Sequence, residues 1–72
     1  MNYKKIFGLN VRYYRKKKKY TQEEFAKKCS ISRTYISEVE LGKRNISIDN
    51  MAIIAKVLKV SICSLLVEQK DE

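Results

Sequence analysis

The chemistry that this sequence offers most openly is the binding of anions, through basic residues near its N-terminus. Arg15 is followed by Lys16–Lys19, and the whole chain carries a formal net charge of +8. Residues 1–20 hold eight basic residues and no acid, whereas residues 21–72 hold eight of each sign. Such a patch attracts phosphate backbones or anionic lipid, although lysines at a helix end also favour the C-terminal dipole. The run therefore predicts a polyanionic partner without identifying it.

Residue types that most enzymes and metal sites need are scarce in the sequence. It contains no histidine and two cysteines, Cys29 and Cys63, neither of them in a CxxC pair. This composition argues against zinc binding and against catalysis by histidine. We therefore expect no enzymatic activity, no metal and no cofactor. We expect both cysteines to be buried, reduced thiols, with a disulfide between them as the alternative.

The length of 72 residues has room for one domain with a small core. No apolar run approaches the roughly 18 residues of a membrane span, and the N-terminal segment lacks the long apolar stretch of a signal peptide. We expect a single cytoplasmic domain over residues 1–72, with no membrane partner and with a polar tail at residues 69–72.

Apolar residues recur at helical spacing along the chain, which contains no proline and two glycines. The segment Thr21-Gln22-Glu23-Glu24 fits a capping box, and Ser32, Ser47 and Ser61 are suited to cap the helices that follow them. The pattern predicts five helices, at Lys4–Lys18, Gln22–Cys29, Arg33–Leu41, Ile48–Leu58 and from a cap at Ser61 to near Val67.

The same periodicity predicts which residues face the core. They are Phe7, Val11 and Tyr14 in the first helix, Phe25, Ala26 and Cys29 in the second, Ile36 and Val39 in the third, and Ile48, Met51, Ile54, Ala55 and Leu58 in the fourth. Gly8 lies inside the first helix, where glycine costs about 1 kcal/mol relative to alanine, so we expect a close packing contact there. Three residues separate the second and third helices, as in a helix-turn-helix.

Two segments resemble a known family. The stretch TQEEFAKKCSISRTYISEVELGKR, residues 21–44, resembles the helix-turn-helix of lambda-repressor/Cro-like (XRE-type) DNA-binding domains. SIDNMAIIAKVLKVSICSLL, residues 47–66, resembles the two helices that follow it there. RTYISEVELGKRN, residues 33–45, is similar to a segment of the controller proteins of restriction–modification systems. The resemblance implies an all-α, compact five-helix lambda-repressor-like domain with its helix-turn-helix in the second and third helices.

The resemblance also implies which residues meet DNA bases. In this family the third helix enters the major groove. The outward residues of that helix are our base-reading candidates: Arg33, Thr34, Ser37 and Glu38. We expect Arg33 to bind guanine O6 and N7 in a bidentate contact and Glu38 to accept from a cytosine amino group. Thr34 would meet a thymine methyl group or a base edge. Contact of Arg33 with phosphate alone is the alternative.

A second group is expected on the DNA backbone. It consists of Gln22, Ser32, Tyr35, Lys43, Arg44, Asn45 and Arg15. Gln22 opens the second helix, whose free amides suit a phosphate, and residues 43–45 would form a second clamp. Partial burial in the core is an equal alternative for Tyr35. Arg15 and Glu40 match an arginine–glutamate pair of related repressors, so we interpret them as a structural salt bridge that also holds Arg15 near phosphate.

Apolar residues outside the inward faces predict a homodimer. Ile53 and Val57 lie four residues apart on a different face from Ile54, and Ile62 and Leu66 belong to the fifth helix; exposed apolar patches of this kind mark interfaces. The alternative is that the fifth helix covers them within one monomer. Two copies on a two-fold axis would read half-sites about one helical turn apart.

These features predict a sequence-specific, homodimeric transcription regulator of bacterial or phage origin, acting on a palindromic operator at the nucleoid and regulating its own promoter. It would be a restriction–modification controller or a phage-type repressor, and activation would also require a surface for RNA polymerase. Two alternatives stay open. One is an antitoxin or protein-interaction module with the same fold, and the other is nonspecific binding to RNA or membrane through the first helix and its interleaved tyrosines.

Overall fold

The structure, a computed structural model, describes residues 2–68. The helices are α1 Tyr3–Lys17, α2 Gln22–Cys29, α3 Arg33–Glu40, α4 Ile48–Leu58 and α5 Ile62–Leu65. Over residues 2–68 there is no strand, and no helix combines the length and apolarity needed to cross a bilayer. The expected all-α, five-helix fold is confirmed, and α2 and α4 have the predicted bounds. The predicted polar tail lies outside the described residues.

Side-chain caps determine where the helices begin. Thr21 Oγ1 accepts from the Glu24 amide at 3.0 Å, and Glu24 Oε1 accepts from the Thr21 amide at 2.9 Å, which completes the predicted capping box. The hydroxyls of Ser32, Ser47 and Ser61 each accept from the third residue of the helix that follows. Asn2 caps α1 in the same way, so this helix begins at Tyr3, one residue before the predicted start.

One apolar core joins all five helices. Its buried residues are Phe7, Val11, Phe25, Ala26, Cys29, Ile36, Val39, Ile54, Ala55, Leu58 and Leu65. Tyr14 and Met51 are half-buried against it. The predicted inward faces of α2 and α3 are therefore confirmed, and those of α1 and α4 largely so.

Two predictions of burial are wrong. Ile48 is 76% exposed, because it is the first residue of α4 and lies at the edge of the apolar stripe, where no other helix covers it. Cys63 is exposed, because α5 is a single turn that directs Leu65 into the core and leaves Cys63 on its outer side. Both cysteines are free thiols, so no disulfide joins them.

The contact between α1 and α3 depends on Gly8. A Cβ atom at this position would collide with the backbone carbonyl oxygen of Val39 and would lie 3.0 Å from that of Glu40. Backbone atoms in a packed helix cannot move aside cheaply, so glycine is what allows α1 to lie directly on the last turn of α3. The predicted close packing contact is confirmed.

The turn between α2 and α3 is tight. Ser30 adopts the left-handed conformation, with φ 55° and ψ 39°, which residues other than glycine use rarely. The Ile31 amide donates to the Ala26 carbonyl at 3.0 Å and the Ser30 amide to the Lys27 carbonyl at 3.1 Å, so the carbonyls at the end of α2 are satisfied. This turn fixes the direction in which α3 leaves α2.

Candidate nucleic-acid interface

The N-terminal ends of α2 and α3 meet at one shallow surface depression, which we call the α2–α3 face. Its lining residues are Gln22, Arg33, Thr34, Ser37 and Glu38. Arg33 and Thr34 are exposed, whereas the other three are half-buried. The structure therefore brings the four base-reading candidates together on one surface and adds Gln22 to them.

The periodicity of α3 explains why these side chains point outward. Ile36 and Val39 are buried and fix the inner side of the helix against the core. At 3.6 residues per turn, Arg33, Thr34 and Ser37 then fall on the opposite side, within two turns of the helix start. The helical spacing of α3 therefore decides both which residues pack against the core and which residues point outward.

The electrostatics of the α3 N-terminus favour a phosphate-bearing partner, whereas the first turn of α2 carries Glu23 and Glu24. A helix N-terminus has unsatisfied amide groups and the positive end of the helix dipole, which together attract anions. The first turn of α3 contains no acidic residue, so the positive end is not neutralised within the helix. Neither ion pair between described residues uses Arg33, which leaves its guanidinium available to a ligand.

Behind this face lies a nearly buried ion pair. Arg15 Nε donates to Glu40 Oε2 at 2.6 Å and Arg15 Nη2 donates to Glu40 Oε1 at 3.0 Å. Arg15 Nη1 donates to the Tyr20 carbonyl at 2.8 Å, so all three guanidinium nitrogens are engaged inside the protein. The two side chains are 9% and 4% exposed. The pair therefore ties α1 to the end of α3, and contact of Arg15 with phosphate stays a prediction.

Gln22 belongs to the same network. Its Nε2 atom donates to Glu40 Oε1 at 3.0 Å, so one carboxylate orients both Arg15 and Gln22. The sequence presented the glutamine and the ion pair as separate features, because they are 18 residues apart along the chain. The link fixes the start of α2 to the end of α3 and holds the Gln22 amide at the α2–α3 face.

A second cluster links the third helix to the loop after it. Arg44 Nε lies 3.3 Å from Glu38 Oε1, and the Arg44 guanidinium carbon lies 4.5 Å from the centroid of the Tyr35 ring. Both charged side chains are nearly half exposed, at 44% and 43%. An exposed pair of this kind contributes at most about 1 kcal/mol, so an incoming phosphate or base can replace it. The cluster joins a base-reading candidate to a backbone candidate.

The remaining backbone candidates border the α2–α3 face without lining it. Lys43 and Asn45 are exposed on the loop that follows α3. The Ser32 hydroxyl accepts from the Tyr35 amide at 3.1 Å as the cap of α3, and its own hydrogen can still be donated to a ligand. Tyr35 is half-buried against the core beneath Arg44, so partial burial is confirmed and its contact with the DNA backbone stays a prediction.

Much of the basic character lies elsewhere, at the C-terminal ends of α1, α2 and α4. Two depressions there are lined by Tyr14, Lys17, Lys18, Leu58, Lys59 and Val60, and by Tyr20, Lys28, Ile53, Lys56, Val57 and Lys59. No acid lines either depression, and neither shares a residue with the α2–α3 face. Lysines also suit the negative end of a helix dipole. We call these lysines the lysine surface: Lys17, Lys18, Lys28, Lys56 and Lys59.

The four residues predicted at a dimer interface are covered to different degrees. Ile53 is 39% exposed. Val57, Ile62 and Leu66 are half-buried and pack against the core. Ile53 and Val57 line one depression, so this part of α4 is the open apolar surface among the four.

Sequence reasoning missed the role of Asn10. This side chain is buried, and its Nδ2 atom donates to the Leu65 carbonyl at 2.9 Å and to the Val67 carbonyl at 2.8 Å. It therefore attaches the end of α5 to the middle of α1. The available signal was its spacing from Phe7 and Tyr14, which places a polar residue on the inner face of the first helix.

Comparison with known proteins agrees with this geometry. A family model described as helix-turn-helix matches residues 11–65. Control protein C.BamHI from Bacillus amyloliquefaciens is 44% identical over 66 residues, which cover 90% of this chain and 82% of that protein. The structure of the restriction-modification controller protein C.AhdI from Aeromonas hydrophila matches with a TM-score of 0.82 and 32% identity, over 86% of this chain and 94% of that chain.

A second similar structure contains DNA. It is that of SinR, a master regulator for biofilm formation, in complex with DNA, with a TM-score of 0.81 and 34% identity. The match covers 85% of this chain and 98% of that chain. The chain described here therefore belongs to the helix-turn-helix family, and controller proteins of restriction–modification systems are among its relatives.

Proposed function

We propose that this chain is a sequence-specific transcription regulator that binds double-stranded DNA as a homodimer. The observation that carries the proposal is the α2–α3 face, where four outward side chains of α3 meet Gln22 at the start of α2. A groove-reading helix needs this mixture of a guanidinium, hydroxyls, a carboxylate and an amide, because bases differ in their pattern of donors and acceptors.

Base reading would begin at Arg33. It is exposed, lies at the first position of α3 and takes part in neither ion pair of the described residues. With α3 in the major groove, its two terminal nitrogens suit O6 and N7 of one guanine. Thr34 and Ser37 would follow along the groove with a methyl group and hydroxyls.

Glu38 would contact a base only after its ion pair with Arg44 is broken. Its carboxylate pairs with Arg44 at 3.3 Å. A phosphate that takes over Arg44 would free the carboxylate to accept from a cytosine amino group, or to repel a base that offers no donor. Binding of the backbone at the loop and reading of the base at α3 are then coupled through one exposed ion pair.

Backbone contacts would flank the reading helix on both sides. The start of α2, with Gln22 and its free amides, would meet one phosphate strand. Residues 43–45, with Ser32 and Tyr35, would meet the other. Such contacts set the register of the protein on the duplex. Lys17 and Lys18 of the lysine surface would add attraction to any DNA without selecting a sequence.

The regulatory role is inferred from the relatives. Proteins named as restriction–modification controllers and a DNA-bound regulator share most of this chain's length and its fold. We infer a two-fold-symmetric operator, regulation of its own promoter, and action in the cytoplasm at the nucleoid of a bacterium or on a phage genome. Where it activates transcription, RNA polymerase would be a further partner.

Selection of bound duplexes from a randomised DNA pool tests the proposal. Wild type, Arg33→Ala and Arg12→Ala should be compared, because Arg12 is an exposed arginine of α1 outside the α2–α3 face. We expect a two-fold-symmetric motif that Arg33→Ala blurs at matching positions in both halves and that Arg12→Ala leaves intact. A pool without a motif, or a motif that Arg33→Ala leaves unchanged, would contradict the proposal.

A further inference from the structure

The outer face of α4 combines an apolar centre with charges of both signs. Ile53 is 39% exposed and Val57 is half-buried, while Asp49 and Lys56 are exposed. At 3.6 residues per turn these four residues fall within an arc of about 100° around the helix axis, so they share one face. Ile53, Lys56 and Val57 also line a single depression.

The two charges stand at opposite ends of this face. Asp49 lies in the first turn of α4 and Lys56 in its last turn. Seven residues correspond to about 10 Å along the helix axis, which is too far for an ion pair within α4. Neither residue takes part in the ion pairs between described residues. Both charges are therefore available to a partner.

The positive charge around Ile53 favours a partner surface that carries acidic residues. Its depression is lined by Lys28, Lys56 and Lys59 and by no acid. Burial of the apolar centre against another surface would bring those ammonium groups close to that surface, and repulsion would oppose the contact unless carboxylates came with it. Asp49 is the acidic residue that this same face of α4 offers.

We propose that a second copy of this chain docks on this face with its α4 antiparallel, so that Asp49 of each copy lies against the partner subunit's Lys56. The inference rests on the homodimer of the proposed function. It adds the relative orientation of the two α4 helices and the charged residues that favour this orientation. A two-fold axis at Ile53 places the positions before it against the partner's positions after it. A parallel pair of α4 helices would instead oppose aspartate to aspartate and lysine to lysine.

Charge reversal at the two ends tests this arrangement. Asp49→Lys and Lys56→Asp should each weaken self-association on the order of tenfold, measured by sedimentation equilibrium, because each variant places like charges together at both ends of the interface. An equimolar mixture of the two variants should associate as tightly as wild type, because both ion pairs across the axis then join opposite charges.

Two substitutions in α2 serve as matched controls. Glu23 lies in the first turn of α2 and Lys27 in its last turn, so Glu23→Lys and Lys27→Asp remove the same favourable interactions with a helix dipole as the test variants do. We expect both controls to self-associate like wild type. Circular dichroism of every variant reports any loss of folding separately from loss of association.

The outcomes separate this inference from the proposed function. Weakened single variants that recover on mixing support the antiparallel contact. A dimeric wild type whose variants remain dimeric, or whose mixture does not recover, overturns the contact and leaves the homodimer standing. A wild type that stays monomeric both in solution and on its selected DNA overturns the homodimer and this inference together.

Discussion

The α2–α3 face and the lysine surface are formed at opposite ends of helices, and they differ in what they offer a nucleic acid. The first lies at helix N-termini and presents an arginine, two hydroxyls, a carboxylate and an amide. The second lies at helix C-termini and presents ammonium groups beside tyrosines and aliphatic side chains. Attraction to DNA needs only positive charge, whereas discrimination between bases needs a fixed mixture of donors and acceptors.

The two surfaces also differ in how their side chains are held. The α2–α3 face is backed by the Arg15–Glu40 pair, which fixes Gln22. On the lysine surface, Lys17 lies 5.6 Å from the centroid of the Tyr13 ring and Lys28 lies 5.3 Å from that of Tyr20. Exposed cation–π contacts contribute about 0.5–1 kcal/mol each. Lys17 and Lys28 are therefore held by weak exposed contacts, whereas Gln22 is held by a buried network.

Removing Glu40 should have the largest effect on stability. Glu40→Ala leaves the Arg15 guanidinium buried without a carboxylate, which typically costs about 3–5 kcal/mol. Glu38→Ala is the matched control, because it breaks the exposed pair with Arg44 and should cost at most about 1 kcal/mol. Urea unfolding measures both free energies, and equal values for the two variants would show that the buried network does not hold the α2–α3 face.

Filling the contact at Gly8 should have the next largest effect. Gly8→Ala forces a methyl group against the Val39 carbonyl, and overpacking of this kind costs about 1–3 kcal/mol. Alanine also favours the helix by about 1 kcal/mol, so the steric cost must exceed that gain. Thermal unfolding should show net destabilisation, and a stabilised variant would mean that α1 and α3 can separate without cost.

Neutralising lysines should lower the affinity for DNA without changing the preference for the selected operator. The double substitution Lys17→Gln, Lys18→Gln should weaken binding to the selected operator and to an unrelated duplex by the same factor. For each phosphate that the variant no longer neutralises, the slope of log K against log salt should become shallower by about 0.9. Weakening confined to the selected operator would place sequence discrimination on the lysine surface.

The smallest effect concerns the two thiols. Burial raises the pKa of the Cys29 thiol from its ordinary 9.0 to about 11, whereas Cys63 is exposed. A thiolate-directed reagent at pH 8 should therefore modify Cys63 and spare Cys29 in the folded protein. Between about pH 9 and 11 the unfolded chain loses the Cys29 proton first, so this group lowers stability as the pH rises. Equal labelling of Cys29 and Cys63 at pH 8 would contradict the burial of Cys29 at the end of α2.

The helices could be predicted from the sequence because their signals are local. Thr21, Ser32, Ser47 and Ser61 each lie beside the helix that they cap, and such a cap typically contributes about 1 kcal/mol. The inner faces followed from a spacing of three and four residues. Ile48 failed because periodicity alone does not say whether another helix covers the first turn of α4.

The connections behind the site could not be predicted in the same way. The bonds of Asn10 to the carbonyls after α5 span more than 50 residues, and the bond from Gln22 to Glu40 spans 18. The pairing of Glu38 with Arg44 depends on the path of a loop. The side chains that α3 presents to a ligand can therefore be predicted from its sequence. The hydrogen bonds and ion pairs that hold the helix in place depend on tertiary packing.

The most direct test of the central claim is to map where DNA touches the protein. Backbone amide shifts in solution NMR should be followed while the selected operator duplex is added at high salt, where nonspecific attraction is screened. We predict the largest changes at Gln22 and at residues 33–38 and 43–45, with small changes at the lysine surface. Large changes confined to residues 16–19 and 56–59, with α3 unaffected, would contradict the claim that the α2–α3 face reads DNA.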